Sequence, residues 1–185
     1  MRTFALILAC LLALAAWPGL DPATWADGHG RRERKRQRGD LGKHAVPPAN
    51  DPLYREACGA CHFAYQPGLL PAASWQRLME RLPAHFGEQV DPAPAERGHL
   101  AGYLAANAAE RCGARLAGKI LDCLAGAAPE RVTQVPYLIR KHSAHDLPAD
   151  AFSRPGVGSL ANCAACHTTA AQGDYDEHNV RIPPR

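Results

Sequence analysis

The sequence predicts a mainly α-helical protein in which a helical first half precedes a largely irregular second half. Apolar residues recur at helical spacing over residues 75–86 and 92–111, as expected of helices with one buried face. Proline interrupts helices. The second half contains six prolines: Pro129, Pro136, Pro148, Pro155, Pro183 and Pro184. The 185 residues suffice for one domain or two small ones.

The first half is predicted to contain three helices. The first spans residues 53–62, with Asp51 as N-cap and Pro52 at the first helical position. The second spans residues 75–86, with Ser74 as a possible N-cap.

Pro83 is expected to bend or tighten the last turn of the second helix, and Gly87 to end it. The third helix is predicted over residues 92–111, opened by Asp91. In the second half we expect only a short helical turn, at residues 163–169.

The beginning of the chain has the features of a signal peptide, which we assign to residues 1–26. Arg2 precedes an apolar run over residues 4–17, and small residues at 23–26 offer a cleavage site. That run is shorter than the roughly 20 residues of a membrane span. Cys10 lies inside it rather than at its end, which disfavours lipid attachment. We expect an exported protein with no stable membrane insertion.

Residues 27–50 are predicted to be a flexible, basic linker. The chain has a formal net charge of +3, but six Lys or Arg and one Glu at residues 31–38 contribute +5, which leaves −2 for the rest. Glycine and proline surround this run and no aromatic residue interrupts it. A solvated tail is therefore expected, and a nucleic-acid partner is not.

Two stretches read Cys-x-x-Cys-His, at residues 58–62 and 163–167. Cysteines at this spacing can each form a thioether to a haem vinyl group, and the histidine that follows lies under the iron. The pairs are about a hundred residues apart, too far for a zinc ribbon, and no βαβ pattern suggests a thioredoxin-like site. We predict two covalent haem c groups, tethered by Cys58 and Cys61 and by Cys163 and Cys166, with His62 and His167 as proximal ligands.

The motifs divide the chain. Residues 51–127 are predicted to form a first c-type haem domain, in the helix, ligand segment, helix order of a class I cytochrome c. Residues 128–185 are predicted to form a largely irregular second haem segment. Two buried macrocycles can replace much of the core that so short a chain lacks.

The ligand opposite each proximal histidine decides the chemistry. Met79 is the only methionine beyond Met1, and its place on the apolar face of the second helix favours packing. His85 ends that face and is the favoured ligand for the first haem. For the second haem we favour His142, with His145 as its alternative.

The remaining histidines have weaker claims as ligands. His29 and His44 lie in the predicted linker and are expected to be solvated. His99 lies at the border of a helical face, and His178 lies in an acidic surface stretch.

Residues 51–185 resemble the dihaem cytochrome c family, a periplasmic group abbreviated DHC. The resemblance is carried by residues 51–54, 58–65, 68–71, 75–79, 85–86, 136–137, 140–142, 162–167, 173–177 and 180–183. It implies a periplasmic electron carrier, not an enzyme, with His85 and His142 matching the distal ligands. It also implies redox partners, among them a small high-spin c-type cytochrome and a membrane cytochrome b.

Two other classes of function stay open. One is a haem enzyme or gas-binding cytochrome with one open, pentacoordinate iron. The other is an assembly module of a membrane redox complex, docked by the basic linker. Two further cysteines, Cys112 and Cys123, are expected to form a disulfide in an oxidising compartment.

Overall fold

Helices and short turns make up the folded chain, whose computed structural model describes residues 41–143 and 147–185. The α-helices in these ranges are α1 Pro52–Gly59, α2 Ala72–Glu80, α3 Pro94–Asn107, α4 Ala109–Cys112, α5 Arg115–Leu124 and α6 Pro136–Lys141. The 3₁₀ turns are Pro67–Leu69, Leu82–Ala84, Val132–Gln134, Ala151–Ser153, Cys163–Ala165, Ala170–Gln172 and Glu177–Asn179. The prediction of a mainly helical protein is confirmed, since the described ranges contain isolated β-bridges but no strand.

The predicted signal peptide, the basic run at residues 31–38 and His145 lie outside the described residues. Within the described ranges, no helix combines the length and the apolar character needed to cross a membrane.

Helix α1 begins as predicted, because its first turn is capped. The Asp51 carboxylate accepts a hydrogen bond from the Tyr54 amide at 2.8 Å, and Pro52 occupies the first turn. The second carboxylate oxygen contacts His99 Nε2 in α3 at 2.7 Å. The Tyr54 amide and then His99 lower the pKa of Asp51, since both stabilise its ionised form. One carboxylate therefore caps α1 and joins it to α3.

Helix α2 begins three residues earlier than predicted, at Ala72, and Ser74 is not its cap. The Glu110 carboxylate accepts a hydrogen bond from the Ala72 amide at 3.0 Å, so a distant side chain caps this helix. Ser74 lies inside α2, fully buried. The helix ends at Glu80 because Pro83 has no amide hydrogen to continue it, and the chain tightens into the turn Leu82–Ala84.

The third predicted helix is divided in two. It begins at Pro94 rather than at residue 92, because a residue before proline is driven out of the helical region. Glu96, not Asp91, caps it, by accepting a hydrogen bond from the Ala93 amide at 3.1 Å. Ala108, with a ψ of 167°, separates α3 from α4.

Helix α5 was not predicted, although Leu116, Ile120 and Leu124 have helical spacing and are all buried. The expected disulfide across this region is wrong, since Cys112 and Cys123 are not bonded to each other. Cys112 is buried in the core, whereas Cys123 accepts a hydrogen bond from the Arg140 guanidinium at 2.8 Å. Because α5 carries Cys123 to the side that faces α6, the two sulfurs lie in different surroundings.

The fold also begins earlier than the predicted linker boundary at residue 50. Val46 is fully buried, and its amide donates to the Gly173 carbonyl at 2.9 Å. Gly173 has a φ of +76°, and a side chain there would collide with the Val46 carbonyl, so only glycine fits. Residues 45–49 therefore belong to the core, while the division between residues 127 and 128 stays a prediction.

We expect Asp51→Ala to lower the melting temperature of the haem-loaded protein by a few degrees, because α1 loses both its cap and its link to His99. Asp91→Ala is the matched control, since Asp91 is exposed and caps nothing. The pKa of Asp51 lies below its ordinary 3.8, so its contribution is present above that pH and disappears as the pH falls through the folded value. A difference in melting temperature that does not shrink as the pH is lowered below 3.8 would show that the Asp51 carboxylate is not its source.

Candidate functional site

The structure brings the first Cys-x-x-Cys-His motif next to His85. Cys58 lies in the last turn of α1, and the chain leaves the helix before Cys61 and His62. His85 directly follows the turn Leu82–Ala84. The centres of the His62 and His85 rings are 6.2 Å apart, and their planes differ by 19°. We call Cys58, Cys61, His62 and His85 the first haem site.

The second motif lies next to His142 in the same manner. Cys163 begins the turn Cys163–Ala165, and His142 follows the last residue of α6. The His142 and His167 rings are 5.9 Å apart, and their planes are inclined by 74°. We call Cys163, Cys166, His167 and His142 the second haem site.

Both separations suit two imidazoles that share one metal ion. A histidine nitrogen lies about 2 Å from a bound metal and about 1 Å from its own ring centre, so rings on opposite sides of one ion are about 6 Å apart. Both ring separations are therefore compatible with an iron atom between the two rings.

Hydrogen bonds at the Nδ1 atoms leave the Nε2 atoms available. His62 Nδ1 lies 2.8 Å from the Phe63 carbonyl oxygen, and His142 Nδ1 lies 2.8 Å from that of Leu138. Because a carbonyl only accepts, each Nδ1 carries the proton and each Nε2 keeps its lone pair. His167 Nδ1 is buried and has no hydrogen-bond partner among the described residues.

The second haem site opens into a mainly apolar cavity of about 410 Å³. Its lining includes all four residues of the site, and the apolar part of the wall includes Leu138, Leu147, Phe152, Val157, Leu160 and Ile182. This volume lies within the range of cofactor pockets. The first site is more open, since Cys61 and His62 are exposed.

Burial favours the uncharged forms of His85 and His167. It lowers the pKa of His85, with further contributions from His62 and Arg131, and it lowers that of His167, next to His142. Neutral imidazole is the form that binds a metal.

Burial raises the pKa of Cys58 and of Cys163 to about 11. Thiols that act in redox exchange or bind zinc need a lowered pKa. Across the described ranges, no three His, Cys, Asp or Glu side chains gather as a separate metal site would require. The cysteine environment therefore fits tethering better than thiol redox chemistry or zinc binding.

A hydrogen-bonded bridge that the sequence did not reveal connects the two sites. The Tyr65 ring lies 5.5 Å from the His62 ring, and its hydroxyl donates to the Ala161 carbonyl at 2.6 Å. The neighbouring Gln66, 1% exposed, accepts a hydrogen bond from the Tyr175 hydroxyl. Tyr175 in turn lies 5.4 Å from the His167 ring.

The amide nitrogen of Gln66 also donates to the Ala170 carbonyl at 2.6 Å. Tyr65 thus contacts the proximal histidine of the first site, and the adjacent Gln66 binds residues that surround the proximal histidine of the second. No spacing in the sequence identifies a glutamine as buried, so this residue could be found only in the fold.

Of the other histidines in the described ranges, His99 and His178 belong to neither ring pair, and the expectation for His44 needs correction; His29 and His145 lie outside those ranges. The expectation that His44 is solvated is wrong: its side chain is 13% exposed, lines the second cavity and lies 3.7 Å from Asp176. His178 is exposed and pairs with Asp176, which raises its pKa. Met79 is buried in the core, as its predicted packing role requires.

The chain is similar to known dihaem cytochromes c. Residues 54–175 match the family model described as dihaem cytochrome c. The chain is 42% identical to a structure of diheme cytochrome c from Rhodobacter sphaeroides, with a TM-score of 0.62, over 71% of this chain and 100% of that one. A structure of DHC purified from Rhodobacter sphaeroides is 40% identical, with a TM-score of 0.56, over 69% and 99%.

A diheme cytochrome type c from Shewanella baltica is 29% identical, with a TM-score of 0.58, over 77% of this chain and 95% of that one. The comparison with curated proteins gave no match.

We expect Gln66→Leu to lower the free energy of unfolding of the haem-loaded protein by about 2 kcal/mol, because the Tyr175 hydroxyl and the Ala170 carbonyl lose a buried partner. Gln76→Leu is the matched control. Its amide binds Glu80 on the exposed surface of α2, so the change should be within about 0.5 kcal/mol. Denaturant unfolding followed by circular dichroism measures both, and equal losses would contradict the bridging role of Gln66.

Proposed function

Since the chain belongs to the dihaem cytochrome c family, an electron-transfer family, we propose that it carries single electrons in the periplasm with two histidines bound to each iron. Two covalently bound haem c groups are the cofactors. We propose His62 and His85 as the axial pair of the first haem, and His167 and His142 as that of the second. The observation that carries this proposal is the spacing of the rings, 6.2 Å and 5.9 Å.

Bound haem supplies a one-electron change at its iron, and the protein decides what else can happen there. Four cysteine sulfurs tether the two groups, and two imidazoles at each site occupy both axial positions. No position then remains for a substrate or a gas. This arrangement supports an electron carrier over an enzyme.

We propose other redox proteins as partners, among them a small high-spin c-type cytochrome and a membrane cytochrome b. The exposure of Cys61 and His62 supports such exchange, because a haem tethered there has an edge at the surface. The periplasmic location is supported by the predicted signal peptide and by the attachment of haem c outside the bacterial cytoplasm.

His85→Ala and His142→Ala should each convert one of the two haems from low-spin to high-spin, because each variant opens one axial position. The electronic absorption and EPR spectra of the oxidised protein measure this change. His178→Ala is the control, since its ring is exposed and bound to Asp176. A wild-type protein that is already high-spin at one haem, or that binds CO readily when reduced, would contradict the proposal.

His44→Ala separates the proposed ligand from its nearest rival. His44 also lines the second cavity, so it is the residue to test if His142→Ala leaves the spectrum unchanged. We expect His44→Ala to keep both haems low-spin.

The two haems should give different low-spin EPR signals. Axial imidazole planes that differ by 19°, as at the first site, split the iron d orbitals and give a rhombic spectrum. Planes inclined by 74°, as at the second site, leave those orbitals nearly degenerate and give one dominant signal at large g. His85→Ala should remove the rhombic signal and His142→Ala the other. Two identical rhombic signals would contradict the ring orientations.

A further inference from the structure

Phe86, the residue after His85, adopts an unfavourable backbone conformation at the first haem site. Its φ is +54°, in the left-handed region that bulky residues avoid. The Glu88 amide donates to the His85 carbonyl at 3.0 Å, which closes a tight turn around it. The Phe86 ring is 44% exposed, so burial in the core does not account for a phenylalanine here. Strain of this kind persists only where the surroundings hold it.

Arg131 covers the exposed face of this ring. Its guanidinium carbon lies 3.8 Å from the Phe86 ring centre, within the range of a cation–π contact. The Phe86 ring centre in turn lies 4.7 Å from that of His85. Arg131, Phe86 and His85 thus form a continuous series of contacts that ends at the proposed iron ligand.

Hydrogen bonding and burial of the next residue hold the backbone of Arg131 in place. Its amide donates to the Gln134 side chain at 3.2 Å, and the next residue, Val132, is buried in the core. The Arg131 backbone that carries the guanidinium is therefore held in place, although it lies far from His85 in the sequence.

The charge of Arg131 has no carboxylate partner in the described part of the chain. The adjacent Glu130 pairs with Arg81 at 2.8 Å instead. The positive charge of Arg131 also acts on both His85 and Tyr65, which flank the first site. An uncompensated cation beside an iron favours the reduced form, which carries one positive charge less.

We propose that Arg131 is a positioning residue of the first haem site, which clamps the His85 turn through Phe86 and raises the reduction potential of the first haem. The proposal rests on the proposed function, since it takes His85 as an axial ligand. Substitutions of Arg131 can separate its role in holding the His85 turn from the effect of its charge. Lysine keeps the charge but lacks the planar group that stacks on a ring, whereas glutamine lacks both.

Redox titration of the haem-loaded protein tests the charge. We expect Arg131→Gln to shift the one-electron equilibrium of the first haem roughly threefold to tenfold toward the oxidised form. A tenfold shift corresponds to about 59 mV. Arg131→Lys and Phe86→Gly should keep the wild-type potential, and the second haem should not change in any variant. The signal that His85→Ala converts to high-spin identifies the first haem.

CO binding to the reduced protein tests the clamp, because CO must await the release of His85. Arg131→Gln, Arg131→Lys and Phe86→Gly should each bind CO at the first haem several-fold faster than the wild type. Phe86→Gly is informative because glycine accepts the positive φ, so this variant loses the ring without added backbone strain.

Arg97→Gln is the matched control, since Arg97 pairs with the exposed Asp91 and should change neither measurement. The proposal is overturned if Arg131→Gln has no more effect on the first potential than Arg97→Gln, or if it shifts both haems equally. It is also overturned if none of the three variants speeds CO binding. A wild-type protein with a high-spin first haem would refute the proposed ligation instead, and the potential of Arg131→Gln would still decide the role of the charge.

Discussion

At each haem site two imidazole rings lie about 6 Å apart, and the proposed ligation of both irons depends on the fold holding that separation. At each site one ring comes from the Cys-x-x-Cys-His motif and the other from a residue upstream or downstream of it. The rings are delivered by short structures: a 3₁₀ turn before His85, the end of α6 before His142, and the end of α1 before His62. Each of these elements ends within a few residues of a histidine of a haem site.

The two haem sites differ in their exposure to solvent. The second opens into a mainly apolar cavity whose wall includes His44, a residue from before the first helix. The first is open, and its distal histidine lies in a strained turn covered by Arg131. Tyr65, Gln66 and Tyr175 connect the two sites. Hydrogen bonds join Gln66 to Tyr175, and ring contacts join Tyr65 to His62 and Tyr175 to His167. One haem site is thus exposed, and the other lies against an apolar cavity.

The sequence predicted what depends on local chemistry. The two motifs, the Asp51 cap and the effect of Pro83 follow from residue types at fixed spacing, and the structure agrees with the cap and the proline. It did not predict what depends on distant partners. Glu110 caps α2 from another helix, Val46 is buried by Gly173, and Gln66 is buried between the two sites. Helix α5 is a different case, since its apolar spacing was readable but the expected disulfide made that region look like a loop.

We propose that four histidine nitrogens, two at each iron, complete the coordination of both haems. A crystal structure of the oxidised, haem-loaded protein would decide this. We expect Nε2 of His62 and His85 about 2 Å from one iron, and Nε2 of His167 and His142 about 2 Å from the other. A water molecule, an empty position or His44 opposite either proximal histidine would contradict it.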